Sequence, residues 1–117
     1  MAGLSTHVLD TSIGKPAANI LIELFAKDQS EAIKSCTTNA DGRTDAPLIA
    51  AGELAEGTYE LHFHAGDYFR AKQTTAQNAT VLFLDVVVIR FGIGHTDQHY
   101  HVPLLLSTYG YSTYRGS

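Results

Sequence analysis

Two histidines near the end of the chain, His99 and His101, have the clearest potential for chemistry. Side chains of a β-strand alternate between its two faces, so the strand predicted around them places both imidazoles on one face. A third histidine, His95, lies four residues before His99. Three interpretations stay open for this cluster: a zinc site, a pair of groups that transfer protons near neutral pH, and a solvated polar face.

His7 and Arg43 are the candidates elsewhere in the chain. His7 lies in a predicted first strand, at a position where a purely structural residue would more often be apolar, and it could partner a second acid or base. Arg43 follows an Asp-Gly dipeptide, which is typical of tight turns because glycine tolerates a positive φ. The single cysteine, Cys36, is interpreted as a small strand residue, since no histidine or glycine-rich turn adjoins it.

The elements that must position these residues are predicted to be strands. Residues 19–27 and 58–66 follow a period of two, and in the second segment Tyr59, Leu61 and Phe63 share the face expected to meet a core. Seven to eight such strands, with turn signals between them, predict an all-β fold: a two-sheet antiparallel β-sandwich with one short helix near Asp67. The length predicts a single domain over residues 1–117.

Two further features predict local detail. The apolar run 81–93 is too short to cross a membrane as a helix and is interpreted as a strand covered on both faces, by a second sheet or another subunit. Pro103 has no N–H to donate, so the last long strand is expected to lie at a sheet edge or to be locally irregular.

Composition and charge exclude several classes of partner. The formal net charge is -4 and the eight basic residues are scattered, which argues against nucleic-acid binding. No apolar run approaches the roughly 20 residues that span a bilayer, and the first residues lack the features of a signal peptide. A lone cysteine fits a reducing compartment, so we expect a cytoplasmic protein without a membrane partner.

Three segments together carry a resemblance to a known family: STHVLDTSIGKPA (5–17), NADGRTDAPL (39–48) and HYHVPLLLSTYGYSTYRGS (99–117). Over essentially its whole length the chain resembles the transthyretin-like 5-hydroxyisourate hydrolases, and the terminal Tyr-Arg-Gly-Ser is the most specific element. The resemblance implies a transthyretin-like sandwich, a homotetramer, and active sites in a channel between dimers. The implied reaction is hydrolysis of 5-hydroxyisourate to 2-oxo-4-hydroxy-4-carboxy-5-ureidoimidazoline in urate breakdown, a branch of purine metabolism.

The resemblance also implies the site residues. Matched by motif, the implied catalytic residues are His7, Arg43, His101 and the terminal Ser117, and the implied substrate contacts are His7, Arg43 and Tyr114. No organic cofactor and no metal is implied. Two imidazoles could activate water and return a proton to the leaving nitrogen, and a forked guanidinium suits a planar, carbonyl-rich substrate. Which histidine has which role stays open.

Two other classes of function remain as alternatives. A transthyretin-like carrier would bind a small hydrophobic ligand in the same channel without turnover, although polar His7, Arg43 and His101 are unlike the apolar lining such a ligand needs. A zinc-binding interaction module is the third. The chain departs from the family at Thr108, where proline is usual. Arg115 is expected to orient the tail, to lie across a neighbouring chain, or to lie exposed on a frayed tail.

Overall fold

A computed structural model describes residues 2–72 and 81–116 of the chain. It contains eight strands and one helix: β1 (Leu4–Asp10), β2 (Lys15–Pro16), β3 (Leu21–Ala26), β4 (Lys34–Thr37), β5 (Gly57–His64), α1 (Ala65–Lys72), β6 (Val86–Ile93), β7 (Tyr100–Leu106) and β8 (Tyr111–Thr113). Within the described ranges, α1 is too short and too polar to cross a membrane.

The strands form two four-stranded sheets. The first sheet has the order β2-β1-β7-β8 and the second has the order β4-β3-β5-β6. The predicted two-sheet sandwich with one short helix is therefore confirmed. One strand pair departs from the antiparallel prediction, because β1 and β7 are parallel, with Leu4 opposite Tyr100 and Asp10 opposite Leu106. A parallel pair needs a long crossover, and here the whole second sheet lies between the two strands in sequence.

The core lies between the inward faces of the sheets. Alternate residues of β3 and β5 are fully or almost fully buried, among them Ile22, Leu24, Leu61 and Phe63. The inward residues of β1 and β7 alternate in the same way, except that Pro103 is buried on the outward face as well. Burial of these apolar side chains, worth about 1.5–3 kcal/mol each relative to exposure, holds the two sheets together. The outward faces remain available for polar side chains.

Two local predictions needed correction. The run 81–93 is a strand only from Val86, and its residues alternate: Val87 is buried, whereas Val88 is 43% exposed. Within one chain only one face of β6 is covered, because Val86 and Val88 are exposed on the other. The helix starts at Ala65, two residues before the expected cap at Asp67, which instead supplies the negative charge favoured in a first helical turn.

Pro103 lies in the interior of the first sheet. The expectation of an edge position is wrong, because β7 pairs with β1 on one side and β8 on the other. The alternative expectation, a local irregularity, matches the structure: pairing with β8 ends at Thr113 and resumes only as an isolated bridge between His101 and Gly116. Pro103 lies opposite this gap, where it has no N–H to contribute to the ladder.

A buried carboxylate connects the helix to the first sheet. Asp10, at the end of β1, is 1% exposed and accepts hydrogen bonds from the Tyr68 hydroxyl at 2.7 Å and from the backbone N–H of Ser12 at 3.0 Å. Burial and the Asp10 carboxylate raise the pKa of Tyr68. Because a buried charge must be hydrogen-bonded, this contact fixes α1 against the end of β1.

We predict that Tyr68→Phe lowers the free energy of unfolding by about 1–3 kcal/mol, the usual cost of leaving a buried acceptor without one of its donors. Urea denaturation would measure the change. Tyr109→Phe is the matched control, since Tyr109 is 68% exposed and should give wild-type stability. Equal stability of both variants would mean that the Tyr68 hydroxyl does not anchor the helix.

Candidate functional site

The outward face of the first sheet carries the candidate site. On β1, Ser5 and His7 are half-buried while their neighbours are buried, and on β7 His101 is half-buried in the same alternation. The parallel register places Ser5 opposite His101 and His7 opposite Pro103. Paired residues of adjacent strands share a face, so the two predicted catalytic histidines, His7 and His101, lie on the same surface.

A tight turn brings Arg43 to this surface. The side-chain oxygen of Asn39 accepts hydrogen bonds from the backbone N–H groups of Asp41, at 2.9 Å, and Arg43, at 3.3 Å. Gly42 has φ of 73° and its carbonyl accepts from the N–H of Val8 at 2.8 Å. Any Cβ at Gly42 would collide with the Val8 carbonyl oxygen. The turn therefore requires glycine at this position.

The turn forms a β-bridge between Arg43 and His7. The Arg43 side chain is exposed, and it makes no hydrogen bond or ion pair with any residue in the ranges 2–72 and 81–116. A guanidinium is permanently cationic and presents a planar fork of donors. With respect to the described residues, Arg43 therefore offers an uncompensated cation beside the histidines, available to an anionic or carbonyl-rich ligand.

The His101 ring is held between the two strands that flank β7. Its Nδ1 lies 2.8 Å from the Ser5 hydroxyl on the β1 side. On the other side Gly116 donates its N–H to the His101 carbonyl at 2.8 Å, and its Cα faces the ring so closely that an added Cβ would lie 2.8 Å from Cδ2. The Nε2 atom, at the outer tip of the ring, makes no hydrogen bond within the described part of the chain.

Arg115 fastens the C-terminal segment to the sheet. Its guanidinium lies 4.1 Å from the centroid of the Tyr100 ring and donates hydrogen bonds to Gln98 at 3.0 Å and to the His99 carbonyl at 3.1 Å. Arg115 is exposed, as one interpretation has it, but these contacts show that the tail around it is not frayed. Its contacts hold the adjacent Gly116 against His101.

The remaining two predicted residues have different outcomes. Tyr114 is 60% exposed, and the register of the β7–β8 pair and of the Gly116 bridge places it across from Pro103 on the outward face. It can thus contact a ligand bound over His7. Ser117 lies outside the described residues, so its role stays a prediction.

Burial and the Arg43 cation favour the neutral forms of the two histidines. Burial first, and the Arg43 cation second, lower the pKa of His7 below 6.5, with a backbone hydrogen bond at Asp41 opposing part of the effect. Burial and Arg43 likewise lower the pKa of His101, with smaller contributions from His7 and His99. A neutral imidazole can accept a proton from water or donate a hydrogen bond to developing negative charge, so the site combines these abilities with a fixed cation.

The other histidines do not form a metal site with this group. Within residues 2–72 and 81–116, no three His, Cys, Asp or Glu side chains are arranged to hold a metal ion. His95 is exposed in the loop before β7. His62 and His64 lie on the second sheet, where they pair with Glu60 at 2.9 Å and Glu23 at 2.7 Å. They are half-buried hydrogen-bond partners of these two carboxylates.

Sequence reasoning missed two residues that contact the site histidine. Ser5 lies on the same face of β1 as His7, so the alternation of this strand could have indicated Ser5 as a site residue. Gly116 belongs to the terminal Tyr-Arg-Gly-Ser motif, but no sequence signal indicates that the His101 ring packs on its Cα. Both contacts depend on which strands flank β7, and this is a property of the tertiary fold.

We predict that Arg43→Gln raises the pKa of both His7 and His101, because it removes the cation that disfavours their charged forms. The pKa of His101 should stay below its ordinary value, since burial, the largest cause, remains. NMR titration of the ring signals would measure the shifts, with charge-preserving Arg43→Lys as the control. Unchanged values in the glutamine variant would show that the guanidinium does not act on these rings.

We predict that Gly116→Ala displaces the His101 ring, because the new methyl group would lie 2.8 Å from its Cδ2 atom. The ring signals of His101 should shift while those of His62 stay in place. Gly110→Ala is the matched control, as the nearest atom to its added Cβ would lie at an ordinary 3.8 Å. An undisturbed His101 signal in the Gly116 variant would contradict the described packing.

Comparison with known proteins agrees with this architecture. A family model described as the HIUase/Transthyretin family matches residues 4–116. The chain is 53% identical to 5-hydroxyisourate hydrolase 2 of Rhizobium meliloti (strain 1021), over 97% of this chain and 95% of that protein. It is also similar to the solved structure of Klebsiella pneumoniae 5-hydroxyisourate hydrolase, at 36% identity and a TM-score of 0.80 with full coverage of both chains.

The fold is shared more widely than the site. The transthyretin of Sparus aurata superposes with a TM-score of 0.83 over 99% of this chain and 97% of that one, at only 24% identity. At that identity the likeness concerns the fold alone. The family model spans all three segments that carry His7, Arg43 and His101, and half or more of the residues agree with a curated relative. The chain belongs to the HIUase/transthyretin family.

Proposed function

We propose that this protein hydrolyses 5-hydroxyisourate, opening a ring amide to give 2-oxo-4-hydroxy-4-carboxy-5-ureidoimidazoline. The observation that carries the proposal is the convergence of His7, His101 and Arg43 on one outward face, where the pKa of both imidazoles is lowered beside a guanidinium that has no partner among the described residues. The name 5-hydroxyisourate hydrolase, borne by a relative 53% identical over nearly the whole chain, supports the same activity. The protein is thus an enzyme, a cyclic-amide hydrolase of urate breakdown.

The chemistry requires three contributions that these side chains can make. A water must lose a proton as it attacks the carbonyl carbon, the oxyanion must be stabilised, and the leaving nitrogen must receive a proton. Arg43 holds the planar substrate through its forked donors, and the imidazoles supply the proton transfer and the hydrogen bonding. Tyr114 offers an aromatic face and a hydroxyl, and the terminal Ser117 is proposed to complete the site with its hydroxyl.

The carrier alternative fits this surface less well. A pocket for a small hydrophobic ligand is lined mainly by apolar groups, whereas here an exposed arginine and two imidazoles occupy the centre of the face. Sequence identity also favours the hydrolase, since the chain is 53% identical to a 5-hydroxyisourate hydrolase and 24% identical to a transthyretin. The transthyretin relationship therefore supports the architecture rather than the activity.

The assembly and the location extend this proposal. We propose a homotetramer in which the outward face of the first sheet lines a channel between dimers. Half-buried Leu9 and Leu105 share that face with His101, and apolar side chains around a polar site are typical of a surface covered by another subunit. The free thiol of Cys36 fits a reducing compartment, which supports a cytoplasmic enzyme.

The activity is tested by mixing the purified protein with freshly generated 5-hydroxyisourate and following its ultraviolet absorbance against spontaneous decay. We expect acceleration by the wild type and a loss of roughly tenfold or more in Arg43→Lys, because an ammonium cannot reproduce the planar fork. Arg90→Lys is the control, since Arg90 pairs with Glu60 on the other sheet and should keep wild-type activity. No acceleration over spontaneous decay would contradict the proposed function.

A further inference from the structure

A chain of hydrogen bonds leads from the protein backbone to His101. The N–H of Gly3 donates to Nδ1 of His99 at 3.2 Å. Nε2 of His99 lies 3.0 Å from the hydroxyl oxygen of Ser5, and the same hydroxyl lies 2.8 Å from Nδ1 of His101. The first member of this chain is the backbone N–H of Gly3, which can only donate. This fixes the direction of the first hydrogen bond, and the positions of the protons on the following groups can be derived from it.

The direction follows from the chemistry of each group. His99 must present a lone pair at Nδ1 to Gly3, so neutral His99 carries its proton on Nε2 and donates it to Ser5. The hydroxyl proton of Ser5 then points to Nδ1 of His101, which accepts it. Neutral His101 consequently carries its own proton on Nε2, the atom at the outer tip of the ring.

The opposite direction is chemically unfavourable. If Ser5 donated to Nε2 of His99, that ring would have lone pairs on both nitrogens and would be an imidazolate anion. If Ser5 instead accepted from both rings, its hydroxyl proton would have no partner within the described part of the chain. A cationic His101 is disfavoured as well, because Arg43, His7 and His99 all lower its pKa in addition to burial.

We propose that Gly3, His99 and Ser5 fix His101 as the tautomer protonated at Nε2, so that His101 donates a hydrogen bond to the substrate oxyanion and His7 alone transfers protons. This assignment rests on the proposed hydrolase function. His99 and Ser5 are positioning residues, since they act through His101. A neutral imidazole whose Nδ1 already accepts a hydrogen bond is a poor proton acceptor, but it is a competent donor to developing negative charge.

The resulting reaction balances with His7 as the only proton carrier. The oxygen of water bonds to the amide carbon while His7 takes a proton from that water, and negative charge on the carbonyl oxygen is stabilised by the Nε2–H of His101 and by Arg43. The C–N bond then breaks, its electron pair stays on nitrogen, and His7 returns its proton to that nitrogen. Both imidazoles end neutral, as they began.

The first test observes the tautomer directly. Nitrogen-15 NMR of histidine-labelled wild-type protein, with the His101 signal assigned from its loss in His101→Gln, should show a protonated Nε2 and a hydrogen-bonded lone pair at Nδ1. Ser5→Ala should weaken that Nδ1 signature, and Ser5→Thr, which keeps the hydroxyl, should restore it. A His101 protonated at Nδ1 in the wild type would overturn the proposal, whether or not any variant is active.

The second test separates hydrogen-bond donation from proton transfer. A glutamine amide reaches about as far as Nε2 of histidine and can donate but not exchange protons, whereas an asparagine amide reaches only as far as Nδ1. We expect His101→Gln to lose less than about tenfold in kcat and His101→Asn roughly 100-fold, the usual cost of an oxyanion donor. His7→Gln should lose roughly 100-fold or more, as a proton carrier does.

Controls make each outcome decisive. Ser5→Ala should lower kcat several-fold with rescue by Ser5→Thr, while Ser35→Ala, which removes an exposed hydroxyl on the second sheet, should change nothing. Circular dichroism confirms folding of each variant. Equal losses in His101→Gln, His101→Asn and His7→Gln would assign proton transfer to His101 and overturn the proposal. A wild type that shows the Nε2 tautomer but no hydrolysis would contradict the proposed function instead.

Discussion

The parallel pairing of β1 with β7 is the interaction on which the site depends. It joins strands more than ninety residues apart and places Ser5 opposite His101 and His7 opposite Pro103. A slip of one residue would turn the histidines into the core and the buried apolar residues outward. The buried residues of β1 and β7 therefore determine which face carries the histidines. Exposing Val8 and Leu104, which are completely buried, would cost several kcal/mol.

The backbone around this pair supplies the rest of the site. Gly42 permits the turn that brings Arg43 beside His7, and Gly116 permits the tail to pack against the His101 ring. Both glycines are required by close approach, one to a carbonyl oxygen and one to an imidazole. Arg43 then influences both rings through its charge, which disfavours their protonation. The fold thus favours neutral imidazoles beside a permanent cation.

Much of this architecture could be predicted from the sequence, and the reasons are local. Alternation identifies β3 and β5 as strands and identifies the buried face of β5, and the Asp-Gly dipeptide predicts the turn before Arg43. The predicted residues His7, Arg43 and His101 do lie together. The parallel neighbour of β7, the interior position of Pro103 and the contacts of Ser5 could not be predicted, because strand order is decided by packing between distant segments. The apolar run 81–93 misled because apolar character alone does not show whether both faces of a strand are covered, and Val86 and Val88 are exposed.

The central claim is that chemistry occurs on the outward face of the first sheet, and a crystal structure with a planar, non-hydrolysable purine analogue of the substrate tests it most directly. The account predicts the analogue over that face, contacting the Arg43 guanidinium and lying within hydrogen-bond distance of His7 and His101. The described part of the chain offers a cavity for comparison, a groove of about 440 Å³ that is lined by residues such as Lys34, Leu48 and Tyr59 and by none of the three site residues. An analogue bound in that groove, with Arg43 and both histidines untouched, would contradict the account.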